Sequence, residues 1–128
     1  MNSRSQLEIE YNIAIHDRIA RQYDARHGEI FNDIEQGRLR SALASALSLI
    51  QTNSPTLTAL DVGCGSGNLS FHLLDLGLQV VAADVSQGFL DLVAHRFSGK
   101  PIKTIKLKAL QVIEWVILEH FRGLATCK

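Results

Sequence analysis

Cysteine is scarce in this 128-residue sequence: Cys64 and Cys127 are the only two. They form no CxxC pair, so neither a disulfide framework nor a thiolate metal site is signalled, and a reducing cytoplasm is the expected setting. Net charge is also missing, with 13 Lys plus Arg against 13 Asp plus Glu. Electrostatics therefore give no reason to expect nucleic acid or an anionic membrane as partner. Long apolar runs are absent. The stretch around Val116-Ile117-Leu118 is far shorter than the roughly 20 residues that span a bilayer, and the polar start MNSRSQLEIEYN lacks the apolar core of a secretory signal. His16, His27, His72, His95 and His120 show no metal-ligand spacing. Neither an internal repeat nor a low-complexity tract is visible. What the sequence has in quantity is apolar residues, 46% of the total, enough for the core of one small domain.

Two helices are expected first. Residues 6 to about 27 carry Leu7, Ile9, Ile13, Ile15 and Ile19 without a perfect stripe, and His27-Gly28 reads as a stop. Residues 32 to 51 begin with Asn32 and Glu35 at capping-box spacing and present Ile34, Leu39, Leu43, Leu47 and Ile50 as an apolar face. After the break at Thr52–Pro55 the period changes. Leu57–Val62 reads as a short strand, and 67–76 as a helix ended by Gly77. Leu78–Asp84 is apolar enough to be buried on both faces. Ser86 caps a helix whose face is Phe89, Leu90, Val93, Ala94 and Phe97. Ile102–Lys108 reads as an edge strand carrying Lys106 and Lys108. An apolar helix over about 109–122, with Trp115 in its stripe, follows. Strands alternating with helices predict an α/β fold with a parallel sheet, and right-handed crossovers place successive helices on one face. The expected division is a helical cap over 1–55 and a sheet domain over 56–128.

Chemistry concentrates in Asp61-Val62-Gly63-Cys64-Gly65-Ser66-Gly67-Asn68. A glycine-rich turn between strand and helix lets backbone approach a ligand closely, and free amides at the helix start would favour an anionic group. Such turns hold nucleotide-type ligands at the carboxyl ends of parallel strands. The dinucleotide fingerprint GxGxxG is not met, because the glycines stand at 63, 65 and 67 and position 68 is Asn. Asp61 just before the turn suits a cationic group better than a pyrophosphate. Asp84 ends the next strand at about the 20-residue offset at which an acid meets ribose hydroxyls, and a carboxylate can accept from two vicinal hydroxyls.

With those residues in place, LDVGCGSGNLS resembles the first motif of the Rossmann-like (class I) S-adenosylmethionine (SAM)-dependent methyltransferase family, and VVAADVS resembles its next motif. The resemblance covers roughly residues 13 to 98. It implies a three-layer Rossmann-like parallel sheet, SAM as cofactor, and methyl transfer to a small-molecule acceptor. It implies further that Asp61, Gly63, Cys64, Gly65, Ser66 and Gly67 surround the methionine part of SAM and that Asp84, with Val85 beside it, holds the ribose. The stretch Ala20-Arg21-Gln22-Tyr23-Asp24 resembles the helix that precedes the domain in small-molecule methyltransferases, making Tyr23 a lid candidate.

The sequence departs from the family after the third strand. Residues 105–113 contain no Asp, Glu or Asn where family members place acids near adenine, and the tail ALQVIEWVILEHFRGLATCK is unlike the family. The expectation is a truncated form with about three strands and no recognisable acceptor segment, whose first strand becomes an open edge prone to self-association. No catalytic residue is assigned, since in-line methyl transfer can rest on alignment. Two other readings stay open: a non-enzymatic SAM-binding or interaction fragment, and a piece of an NAD-dependent oxidoreductase. Cys64 is expected to be a small turn residue, and Asp17, Glu29, Asp33 and Glu35 solvated helix charges.

Overall fold

The computed structural model of this chain describes residues 3–108. The helix expected over about 109–122, with Trp115 and His120, lies outside the described residues, as does Cys127. The elements run α1 Ser3–Ile19, a 3-10 turn Ala20–Gln22, α2 Tyr23–Arg26, α3 Asp33–Ser48, β1 Thr58–Val62, α4 Asn68–Asp75, β2 Gln79–Asp84, α5 Gln87–Arg96 and β3 Ile102–Lys106.

The three strands form a parallel sheet in the order β1-β2-β3. Ala59 pairs with Val80 and Val80 with Ile102; Asp61 pairs with Ala82 and Ala82 with Thr104. The central strand is the most apolar, as the sequence predicts, and Val80, Ala82 and Ala83 are buried. On the Val80–Ala82 face, Leu73 of α4 and Leu90, Val93 and Phe97 from α5 and its end complete the main core, so both crossover helices lie on one face. Side chains of this size contribute roughly 1.5–3 kcal/mol each when fully buried. The opposite face gathers Leu60, Ala83, Val85, Ile105 and Leu107 into a second apolar cluster.

The single helix expected over residues 6 to about 27 is broken at Ala20–Gln22 and α3 stops at Ser48, whereas local signals mark the start of α3 and α5 and the end of α4 close to where the sequence places them. Ser86 Oγ accepts from Phe89 N at 3.2 Å and caps α5. Gly77, with φ +90°, closes α4: its N–H bonds Leu74 O at 3.0 Å, and Leu78 N bonds Leu73 O at 3.1 Å. Asn32 Oδ1 accepts from Glu35 N at 3.0 Å, whereas the Glu35 carboxylate turns to Arg38 at 2.7 Å instead of closing the box.

The apolar faces need three corrections. Ile34 is 70% exposed and Ile50 51% exposed, while Leu43 and Leu47 do pack against the core. Ile34 stands nine residues before Leu43, which at ~100° per residue is about the opposite side of the helix, and Ile50 lies beyond the last residue of α3. Ala94 is exposed, because Leu90, Val93 and Phe97 already fill the face of α5 that meets the sheet.

Candidate cofactor site

Parallel β1 and β2 end side by side, Val62 opposite Ala83. The loops that leave them therefore emerge at the same end of the sheet. The loop after β1 runs through Gly63, Gly65 and Gly67, all with positive φ. At Gly67 the need for glycine is steric as well. A Cβ there would stand 2.7 Å from Phe97 Cε2 and 3.2 Å from Val93 Cγ2, so Gly67 lets α4 begin against α5. At Gly63 and Gly65 an added Cβ would meet nothing within 4 Å. Those two backbones border open space into which a ligand can come.

Four amides of the loop are engaged within the chain. Gly63 N and Cys64 N both donate to Ala83 O, at 2.7 and 3.0 Å. Gly65 N donates to Asp84 Oδ2 at 2.9 Å, and Gly67 N to Cys64 O at 2.9 Å. The loop folds back over the end of β2, where N–H groups leaving water must find partners, and β2 supplies them.

The site also offers negative charge. Asp61 and Asp84 are 4% and 6% exposed. Asp61 Oδ2 accepts from Ser70 Oγ at 2.7 Å. Burial pushes the Asp61 carboxyl up, with Ser70 pulling it back and the neighbouring charge of Asp84 adding to the rise. Asp84 takes Gly65 N on Oδ2 and Ser86 N on Oδ1, each at 2.9 Å. Each carboxylate oxygen can accept a second bond. Among the described residues neither acid has an ion-pair partner. Two uncompensated carboxyls at one strand end favour a cation, since buried charge is costly unless paired. No group of His, Cys, Asp and Glu among the described residues could hold a metal ion.

Of the residues singled out in the sequence, Asp61, Gly63, Cys64, Gly65, Ser66, Gly67, Asp84 and Val85 come together on the two adjoining loops and strand ends. Cys64 is buried, and burial together with Asp84 and Asp61 pushes its thiol up to about 12. It is thus protonated and inert at neutral pH, a small turn residue as expected. Ser66 Oγ is buried without a partner. Val85 belongs to the second apolar cluster. Tyr23 is half-buried; its ring packs edge-on against Phe89, with centroids 5.2 Å apart, and lies tilted against His27 at 4.3 Å.

Sequence reasoning missed two residues. Asp17, read as a solvated charge, accepts from Gly88 N at 2.8 Å and from the Ser86 hydroxyl. These bonds, the Ser86 one foremost, hold its carboxyl below the usual range. Arg96 reaches Ser66 O and Asp24 Oδ2, each at 3.1 Å. Gly88 was the visible signal: a glycine in the first turn of a helix weakens it unless another chain needs the space.

Comparison with known proteins agrees with this geometry. Residues 60–119 match the family model described as a methyltransferase domain. A cypemycin N-terminal methyltransferase of Streptomyces is 37% identical over 49 residues, covering 38% of this chain and 20% of that protein. A SAM-dependent methyltransferase of Leishmania major superposes with a TM-score of 0.51 at 18% identity, over 61% of this chain and 32% of its own. That likeness bears on the fold. This chain thus spans a fifth of the curated relative and about a third of the structural one. The match over residues 60–119, the parallel sheet and the paired acids at its strand ends converge: this segment is similar to a methyltransferase domain and has a Rossmann-like fold.

Proposed function

We propose that the loops after β1 and β2 bind SAM and that the chain serves methyl transfer to a small-molecule acceptor. The observation that carries this reading is the pairing of two buried carboxylates with a glycine loop in which four amides are already engaged. A pyrophosphate would find negative charge there. The ammonium and sulfonium of SAM would find complementary charge, and its ribose hydroxyls the remaining acceptor positions of Asp84. In this reading Asp61, Gly63, Cys64, Gly65, Ser66 and Gly67 border the methionine part, Asp84 and Val85 the ribose, and Tyr23 the covering side. SAM supplies an activated methyl group for in-line displacement. The chain's part is to hold it aligned, and no side chain is required as a base.

The same reading treats residues 1–55 as a cap on the cofactor-binding unit 56–128. It places the protein in the cytoplasm with a small-molecule partner and no nucleic acid. No helix among the described residues is long and apolar enough to cross a membrane. Pairing of two copies along β1, which bonds only β2 in the described sheet, is part of the proposal. The narrow coverage of both relatives favours one alternative, a fragment that binds SAM without turning it over; production of S-adenosylhomocysteine (SAH) in the presence of candidate acceptors separates the two.

Calorimetric titration with SAH, with NAD as control, tests the reading. Micromolar binding of SAH alone, weakened by Asp84→Ala, supports it. Binding of NAD in preference to SAH, or of neither by the folded protein, refutes it.

A further inference from the structure

Two polar ties join the N-terminal helices to the two loops. In the last turns of α1, Asp17 Oδ1 accepts from Gly88 N at 2.8 Å and from the Ser86 hydroxyl. The amide of the same Ser86 donates to Asp84 Oδ1 at 2.9 Å. One serine therefore links the acid of α1 to the acid that ends β2. The approach is close: a Cβ on Gly88 would stand 3.0 Å from both Asp17 Cα and Asp17 O. Those are backbone atoms, and α1 would have to give by a few tenths of an ångström at Asp17. The second tie is Arg96, whose Nη1 donates to Asp24 Oδ2 and to Ser66 O, each at 3.1 Å. It joins α2 to the glycine loop. Apolar contacts accompany these ties: Tyr23 and His16 meet Phe89 edge-on, and Ala20 is the only buried hydrophobic residue ahead of Cys64 among the described residues.

We propose that Asp17 is a positioning residue which, through Ser86 and Gly88, makes docking of residues 3–26 and cofactor binding at Asp84 depend on each other. Arg96 and Asp24 make the same connection to the other loop. The inference rests on the SAM-site reading above. Loss of the Asp17 tie leaves Ser86 without its acceptor on α1 and α1 without its polar anchor. A ligand held by Asp84 and the glycine loop then binds a less ordered site. Coupling of this kind is reciprocal, so a ligand that needs the docked cap must also strengthen its docking.

The test uses the full chain, with SAH as probe. Calorimetry gives its affinity, and hydrogen exchange follows residues 3–26 and the sheet with and without it. Wild type should gain protection over 3–26 when SAH binds. Asp17→Ala should weaken SAH about tenfold, within the usual range of coupling, and abolish that gain while sheet protection persists. Asp17→Asn, which keeps an Oδ1 acceptor, should recover most of both. Gly88→Ala provides an independent variant, because alanine favours helix α5 yet pushes α1 away. It should reproduce the loss even if Asp17→Ala does not fold. SAH binding by Gly88→Ala and Asp17→Ala equal to wild type overturns the proposal alone, as does protection over 3–26 that bound SAH leaves unchanged in wild type. Absence of SAH binding by folded wild type overturns the site reading and this proposal together.

Discussion

Among the described residues, every buried hydrophobic residue but Ala20 lies from Cys64 to Leu107. In the helices before β1, by contrast, Leu7, Tyr11, Ile34 and Leu49 are 65%, 67%, 70% and 81% exposed. The strand–helix unit is held by packing, through β2, Leu73 and the inner face of α5. The N-terminal helices add directional bonds to the contacts of Leu43, Leu47, Tyr23 and His16: Asp17 to Gly88, Arg96 to Asp24, and Gln36 Oε1 to His72 Nε2 at 2.7 Å. Packing is broad and cooperative. Polar ties are few, individually modest, and able to open without unfolding the rest. The lesson is that the region bordering the loops from outside can respond to a ligand while the sheet that presents the loops stays rigid.

Substitutions can break or sharpen this contrast. Phe89→Ala should have the largest effect, because Phe89 is among the largest fully buried side chains and also meets Tyr23 and His16. A loss of about 3–5 kcal/mol is expected, read as a lower urea midpoint for the whole chain; a loss confined to the N-terminal helices would undo the distinction. Gly67→Ala comes next. It combines positive φ with a Cβ 2.7 Å from Phe97, and should cost about 1–3 kcal/mol and abolish measurable SAH binding in titration. Wild-type stability and binding would show that the loop is not constrained as described.

Asp61→Asn should act in opposite directions on stability and binding. Burial raises the Asp61 carboxyl above its ordinary 3.8. The stabilising contribution of the protonated group is complete below that ordinary value and disappears as pH rises through the raised one. The variant should therefore melt higher than wild type near pH 7, with the gap closing toward pH 3, in thermal scans across pH. Its affinity for SAH should fall roughly tenfold or more, as for a lost bond to a charged group. Equal stability of variant and wild type at all pH values would contradict the burial argument. The smallest effect belongs to Ile34→Ala, expected within about 0.5 kcal/mol by urea titration because the side chain faces water.

The same contrast explains what could be read from the sequence. β2 announces itself because a strand buried on both faces must be apolar throughout, and Ser86, Gly77 and Asn32 mark helix ends through local bonds. The glycine loop and Asp84 stand out because backbone conformation and charge at strand ends tolerate few residue types. Asp17 and Arg96 left no such trace. An acid on a helix looks the same whether it is solvated or bonded to a residue 71 positions away. Ile34 and Ile50 misled for a related reason, since a broad apolar stripe does not say which part of it meets α4. The bonds of the Gly63 and Cys64 amides left no trace in the sequence because their acceptor, Ala83 O, belongs to a neighbouring strand that only the folded sheet brings near.

The most direct test of the central claim is local. In a protein labelled with 15N-glycine, titration with SAH should shift the amides of Gly63, Gly65 and Gly67, which form the loop, and leave those of Gly28, Gly37 and Gly99 in place. Unchanged loop glycines at saturating SAH, or shifts confined to the distant ones, would contradict the assignment of this loop as the SAM site.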